Sequence, residues 1–196
     1  MIQRHVARTV ELPNTGHHLV AVLSDTHGRP HPDLFSILKK YRPLLILHAG
    51  DVGGTELLEE LEKISTTIYV RGNVDPTGPT WPDSLSLRIT LGSVTQLDLL
   101  LLHFAVAHLR LSRNAVNLLH RNPAQVVVFG HSHVPFLGME GKVCLFNPGS
   151  AGPARWGLPT TMGLIEIAPD QLTFRHLDLR TGEEWNPGQR RHGNAP

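Results

Sequence analysis

Residues 18–28 read HLVAVLSDTHG, and the change from apolar to polar residues inside this stretch decides the fold class. The same design recurs in residues 43–51, PLLILHAGD, and in residues 66–75, TTIYVRGNVD. A short apolar run that stops in a polar turn is typical of a buried strand. We therefore predict three buried strands, each ending in side chains that can bind a ligand.

Amphipathic segments separate these three runs. In residues 31–41 the apolar side chains have helical spacing, and residues 54–64, GTELLEELEKI, predict an amphipathic helix with Thr55 as a candidate N-cap. The order strand, helix, strand, helix, strand indicates an α/β fold with a parallel, doubly wound sheet.

The second half of the chain has a different character. We predict hairpins that turn at residues 92–93 and 169–170, a short helix over residues 113–122, and strands within residues 124–133 and 141–150. These segments should add mixed or antiparallel strands. A single domain over residues 1–196 is expected, with its core at about 18–179, an irregular lead-in at 1–17 and a loose polar tail at 181–196.

Composition excludes several classes of protein. A net charge of +1 argues against a general nucleic-acid-binding surface, and Cys144, the single cysteine, excludes an internal disulfide. No stretch has the length and apolarity of a membrane span, and the first residues lack the apolar core of a secretion signal. We therefore expect a cytoplasmic protein.

Five apolar runs end in residues that can bind metals. In an open α/β sheet, ligands collect outside the carboxyl ends of the strands. If these five ends lie side by side, they deliver one donor set to one cleft: Asp25, His27, Asp51, Asn73, His103, His131 and His133. Oxygen and nitrogen donors together suit Mn, Fe, Zn, Co or Ni better than Ca or Mg. A carboxylate such as Asp51 can bridge two cations that clamp a phosphate.

Each member of this set also has an ordinary explanation. Asp25 can cap a turn, Asn73 can tolerate a left-handed backbone, and His103 can be a core histidine. The conjunction of all five strand ends in this order is far more specific than any one of them.

As a set, these motifs resemble the calcineurin-like metallophosphoesterases, and the small size resembles their compact bacterial and archaeal phosphodiesterase branch. The resemblance covers about residues 18–168, including the NPGS motif at 147–150. It implies an α/β fold, a four-layer α/β/β/α sandwich of two mixed β-sheets, with a dinuclear metal site. By the same resemblance, one metal is held by Asp25, His27, Asp51 and His133, and the other by Asp51, Asn73, His103 and His131.

Two positions depart from the family pattern. Phe104 follows His103 where glycine is usual, so either the turn is reshaped or His108 replaces His103 as the ligand. Val74 stands where larger family members have a proton-donating histidine, so diesters or activated esters are favoured as substrates.

Four further residues have two interpretations each. His48 and Asp75 either hydrogen-bond the ligands or stabilise turns. Arg155 either contacts phosphate or makes a surface contact, an ion pair or a stack on Trp156. Trp81 either lines the rim of the site or packs in the core.

The resemblance implies metal-dependent hydrolysis of a phosphate ester, a diester in the compact branch, by attack of a hydroxide bound at the dinuclear site. Asp51, Asn73 and His103 are the expected catalytic residues. The expected cofactors are two divalent transition metal ions, manganese first, with Fe, Zn, Ni or Co as alternatives. The expected partners are a small phosphate ester, with a nucleotide as one candidate, and a second copy of the chain.

Two alternatives compete with the enzyme. One is an inactive protein-interaction scaffold, as in the related retromer subunit, and it predicts lost ligands and an exposed apolar patch. The other is a structural site for one metal without turnover.

Overall fold

The computed structural model describes residues 4–14, 16–155, 157–169 and 171–186, and these ranges contain fourteen strands and three helices. The strands are β1 His5–Leu12, β2 His18–Leu23, β3 Leu45–His48, β4 Thr67–Tyr69, β5 Ser84–Leu91, β6 Val94–Leu102, β7 Val106–Ala107, β8 Arg110–Leu111, β9 Val126–Val128, β10 Phe136–Glu140, β11 Val143–Asn147, β12 Thr161–Ala168, β13 Gln171–Asp178 and β14 Glu184–Trp185. The helices are α1 Leu34–Tyr41, α2 Thr55–Glu62 and α3 Arg113–Arg121.

Sheet I has the order β14-β13-β12-β2-β3-β4. Its strands β2, β3 and β4 are parallel, as predicted, and Leu23, His48 and Tyr69 lie opposite one another near their carboxyl ends. The predicted hairpin of β12 and β13 is also present, and β12 runs antiparallel to β2. Asp170, in the predicted turn, lies outside the described residues.

Both helices of the first half pack on the same face of sheet I. Leu34 and Leu38 of α1 and Leu61 of α2 share one buried cluster with Ala21 and Ile46 of the sheet. The prediction of a doubly wound sheet was therefore wrong, because the opposite face is covered by a second sheet instead of by helices.

Sheet II has the order β1-β5-β6-β9-β11-β10. The predicted hairpin of β5 and β6 is present. The two central strands of the sheet are β6 and β9, and β9 pairs parallel with both β6 and β11. The irregular lead-in was a wrong prediction: residues 5–12 form β1, which pairs parallel with β5 along its whole length. Only three apolar side chains of β1, Val6, Val10 and Leu12, pack on the core, so its sequence lacks the long apolar run of a central strand.

The main core lies between the two sheets. Val20 and Leu47 of sheet I pack there with Leu87, Leu101 and Val128 of sheet II. The outer face of sheet II packs on α3 through Ala115 and Leu118. The layers therefore run helices, sheet I, sheet II, helix, and the predicted α/β/β/α sandwich of two mixed sheets is confirmed.

Smaller differences concern the ends of elements. Helix α2 begins at Thr55, so its N-cap is Gly54, and Thr55 is not the cap. Residues 184–185 form β14 against β13, so the chain after residue 180 is not loose there; residues 187–196 lie outside the described residues. Within the part of the chain that the structure describes, no helix is long and apolar enough to cross a membrane.

Candidate metal centre

The predicted donor residues lie together because five strands end at one edge of the sandwich. In sheet I, the backbone N–H of Asp25 donates to the Gly50 carbonyl at 3.0 Å, which ties the turn after β2 to the turn after β3. In sheet II, the Gly130 N–H donates to the His103 carbonyl at 3.1 Å. The two sheets meet where the His131 N–H donates to Asp25 Oδ2 at 3.0 Å.

Two triads of donor atoms have the spacing of a metal site. Asp25, His27 and His133 form one triad, and Asp25, Asp51 and His103 form the other; within each, the donor atoms lie within 4.8 Å of one another. The Nε2 atoms of His27 and His133 are only 3.2 Å apart, with the two rings stacked. Two imidazole nitrogens this close can both bind one cation.

The Asp51 carboxylate lies between the two groups of histidines. Its Oδ2 is 3.3 Å from His103 Nε2 and 3.8 Å from His27 Nε2, while its Oδ1 accepts the Val74 N–H at 3.0 Å. This position suits a bridging carboxylate. Asp25 belongs to both triads. The structure therefore offers two carboxylates, Asp25 and Asp51, that can contact both metal positions, whereas the resemblance implied only Asp51.

Asn73 and His131 stand outside both triads and face each other. Asn73 Nδ2 lies 3.2 Å from His131 Nδ1, and the His131 ring meets the His103 ring nearly at right angles, 5.3 Å between centroids. All seven predicted residues are thus brought to one edge.

His103 is held in the tautomer that a metal ligand needs. Its Nδ1–H donates to the Ala49 carbonyl at 2.8 Å, which directs Nε2 toward Asp51. Burial opposes a charge on this imidazole, yet the Asp51 and Asp25 carboxylates raise its pKa above the usual value. The same carboxylates favour any cation at this position.

The net pKa shifts of Asp25 and Asp51 have opposite signs. Burial raises the pKa of Asp25. Burial would also raise the pKa of Asp51, but the neighbouring His103 and the Val74 N–H outweigh it and hold this pKa well below its usual range. Asp51 is therefore a carboxylate at neutral pH, ready to bind a cation.

His131 and His133 are neutral imidazoles at neutral pH. Burial lowers the pKa of both, to about 4 for His133, and the nearby positive charge of Arg155 lowers both further. Neutral imidazole is the form that binds metals. Arg155 makes no ion pair within the described residues, so the structure lacks the surface ion pair that was one interpretation of this residue. The other, a stack on Trp156, concerns a residue outside the described ranges.

Five of the seven donor residues have a left-handed backbone. Positive φ angles of 51–68° occur at Asp25, His27, Asp51, His131 and His133. Non-glycine residues rarely adopt this conformation, and such strain concentrates at functional sites.

His48 and Asp75 stabilise turns. Asp75 accepts the backbone N–H groups of Gly72, Val52 and Gly53 at 2.8–3.1 Å, which holds together the turns after β3 and β4. His48 Nε2 lies 2.9 Å from Thr26 Oγ1. Among the residues that the structure describes, neither side chain hydrogen-bonds to the side chain of a predicted ligand.

Two supporting residues were missed from the sequence. Asn147 is buried, and its Nδ2 donates to the Gly130 carbonyl at 2.9 Å and to Ser132 Oγ at 3.1 Å. Ser150 Oγ donates to the Asp25 carbonyl at 2.9 Å. Both belong to the NPGS motif, which begins at Asn147, the last residue of β11, and its position at a strand end was the available signal.

The structure also distinguishes between the alternatives for the metal-ligating histidine and for Trp81. His103, and not His108, lies in the donor cluster; His108 follows β7 in the turn before β8. Trp81 is buried and packs against Tyr69, so its role is packing.

The donor set fits divalent transition metals. Asp25 Oδ1 and His103 Nε2 are buried and make no hydrogen bond within the described residues. A buried polar atom without a partner is costly unless something binds it, and here both face other donor atoms. Mixed carboxylate and imidazole donors match the preference of Mn, Fe, Co, Ni and Zn.

Comparison with known proteins identifies the family of this chain. A family model for the calcineurin-like phosphoesterase superfamily domain matches residues 19–170. The chain belongs to this superfamily. A probable metallophosphoesterase of Methanothermobacter thermautotrophicus is 32% identical over 168 residues, which are 84% of this chain and 93% of the relative. The phosphodiesterase YfcE of Escherichia coli is 28% identical over 127 residues, 57% of this chain and 59% of that protein.

Solved structures of the superfamily share the fold. Vps29 of Entamoeba histolytica, solved in complex with zinc, superposes with a TM-score of 0.66 at 23% identity, covering 85% of this chain and 96% of Vps29. At this identity the likeness concerns the calcineurin-like fold alone.

Proposed function

We propose that this protein is a metal-dependent phosphodiesterase that hydrolyses a small phosphate ester at a dinuclear site. The observation that carries the proposal is the convergence of seven donor residues at one edge, with buried donor atoms of Asp25 and His103 that lack hydrogen-bond partners within the described residues. Membership of the phosphoesterase superfamily and the likeness to the YfcE phosphodiesterase support it.

Residues from both sheets would hold the two cations. One cation would be held by Asp25, His27, Asp51 and His133, and the other by Asp51, Asn73, His103 and His131. When bound, two such cations lower the pKa of a water that attacks phosphorus and stabilise charge on the phosphoryl oxygens. Manganese is the first candidate, with Fe, Zn, Ni or Co as alternatives.

The chain's own residues orient the substrate. The Asn73 side-chain amide can donate to a phosphoryl oxygen, and the permanent positive charge of Arg155 attracts the phosphate. Val74 is 56% exposed and cannot donate a proton to the leaving group. We therefore expect preference for diesters with good leaving groups over unactivated alkyl monoesters.

Hydrolysis of bis(p-nitrophenyl) phosphate with added Mn²⁺ tests the proposal. We expect turnover by the wild type and a loss of more than about 100-fold in kcat/KM for Asp51→Asn and His131→Ala, because even residues that only support metal ligands contribute 10- to 100-fold. His120→Ala, an exposed histidine on α3, is the matched control and should keep full activity. Folded protein without turnover in Mn²⁺, Fe²⁺, Zn²⁺, Co²⁺ or Ni²⁺ would refute the proposal.

A scaffold is the second candidate function. The observation in its favour is a set of exposed apolar side chains on and next to the edge strand β10: Val134, Phe136, Leu137 and Met139. Retention of all seven donor residues argues against it. Metal binding without hydrolysis in the same assay would favour the scaffold.

A further inference from the structure

A small cleft of about 170 Å³ opens beside the candidate metal centre. Asn73 and His103 are among the residues that line it, so a group bound in the cleft lies next to the proposed reaction site. Phe104 and Asn114 also line it, and neither has a role in the chemistry proposed above.

Phe104 is the distinctive residue of this cleft. It follows the proposed ligand His103 directly, and 46% of its surface is exposed. Its ring meets the His131 ring nearly at right angles with 5.0 Å between centroids. The contact restrains the ring while much of its surface stays accessible. Single exposed apolar residues are common on surfaces, but this one lies in a cleft beside a proposed catalytic centre.

The charges in the cleft indicate what can bind there. Arg71 Nε lies 3.3 Å from Asp83 Oδ1, and this ion pair cancels the two formal charges of the cleft wall. Because Arg71 is already paired with Asp83, the cleft is poorly suited to bind a phosphate group in addition to the one at the metal centre. A flat neutral group can stack on Phe104, and the exposed amide of Asn114 can both donate to and accept from the edge of a heteroaromatic ring.

We infer that this cleft binds the base of a nucleotide-type phosphodiester, with Phe104 stacking on the base and Asn114 hydrogen-bonding its edge. The inference rests on the proposed function, because the phosphate is placed at the metal centre. Phe104 is then a specificity-determining residue.

The test measures dissociation constants of two ligands that differ only by the base, adenosine 5′-monophosphate and ribose 5-phosphate, by calorimetry on Mn²⁺-loaded protein. We expect the wild type to bind the nucleotide about 10-fold more tightly, since aromatic stacking of one base contributes on this scale. Phe104→Leu should reduce the ratio to less than about threefold, and Phe104→Tyr should keep it.

Phe136→Leu is the matched control, because Phe136 is 42% exposed on β10 and does not line the cleft. This variant should keep the wild-type ratio. Equal affinity of the wild type for both ligands, or an unchanged affinity ratio in Phe104→Leu, would overturn the inference. If the protein still hydrolysed bis(p-nitrophenyl) phosphate, the proposed function would be unaffected by that result. Absence of turnover and of phosphate binding would instead count against the proposed function.

Discussion

Gly72 lies where the backbone after β4 passes against the Asp51 carboxylate. A Cβ at this position would overlap Asp51 Oδ1 and the Asp51 backbone nitrogen. Only glycine at residue 72 therefore leaves room for the Asp51 carboxylate in its observed position.

We expect Gly72→Ala to lower the free energy of unfolding by about 1–3 kcal/mol, as overpacking does, and to abolish Mn²⁺-dependent hydrolysis by displacing Asp51. Urea unfolding and the bis(p-nitrophenyl) phosphate assay measure the two effects. Gly141→Ala is the control for activity, because its added Cβ meets no atom within 4 Å. Its φ of +61° makes alanine cost stability there as well, but hydrolysis should stay at the wild-type level. Full activity in Gly72→Ala would contradict the placement of Asp51.

His48 makes stability depend on pH. Burial lowers its pKa from 6.5 to about 4, so in the folded protein the ring stays neutral at a pH where the unfolded chain already binds a proton. The folded state therefore loses stability as pH falls below 6.5, and the loss is complete below about 4.

His48→Gln removes this titration. Between pH 7.5 and pH 5 the wild type should lose roughly 2 kcal/mol more unfolding free energy than the variant. Urea unfolding of both proteins in a chelator measures the difference without contributions from metal binding. Parallel pH profiles would show that His48 is protonated equally in both states.

At the scale of elements, α3 is a short helix that depends on its first turn. Ser112 is its N-cap, and Ser112 Oγ accepts the Ala115 N–H at 3.2 Å. The helix covers the outer face of sheet II and carries Asn114 at the cleft. The first turn of α3 therefore contributes to stability through its Ser112 cap and also positions Asn114 at the proposed base-binding cleft.

We expect Ser112→Ala to reduce the free energy of unfolding by about 1 kcal/mol, the usual contribution of an N-cap side chain. Ser93→Ala, at an exposed serine in the turn between β5 and β6, is the control and should be nearly neutral. Chemical denaturation of the wild type, Ser112→Ala and Ser93→Ala measures the difference. Equal denaturation midpoints for all three proteins would show that the Ser112 cap contributes nothing to stability.

At the scale of the whole molecule, the proposed metals cross-link the two sheets. Asp25, His27 and Asp51 follow strands of sheet I, whereas His103, His131 and His133 follow strands of sheet II. A ligand that binds only the folded state stabilises it by mass action.

Mn²⁺ at about 100 times its dissociation constant should therefore add roughly 2.7 kcal/mol per site. For a chain of this size that corresponds to a rise of roughly 5–10 °C in Tm. Differential scanning calorimetry with and without chelator measures it. Asp51→Asn should lose most of the rise and His120→Ala should keep it; a rise of equal size in both would place the metal elsewhere.

Particular residues show how far prediction from sequence reached. The turns after β2, β3 and β4 were predictable because an apolar run followed by Asp, His or Asn is a local pattern. The role of Asn147 was not, because the two hydrogen bonds that its Nδ2 donates reach residues 130 and 132, which lie 17 and 15 positions away and in a different turn. Strand β1 was missed for a related reason, since its pairing with β5 spans about eighty residues.

By itself, the sequence determined the buried strands, the hairpins and which seven side chains follow the strand ends that meet at one edge, because each depends on residues close together in the chain. Only the tertiary structure decided that both helices of the first half lie on one face, that His103 and not His108 joins the cluster, and that Phe104 lines the cleft. These features depend on how two sheets pack face to face, and burial between sheets and contacts across their edge are properties of the folded chain alone.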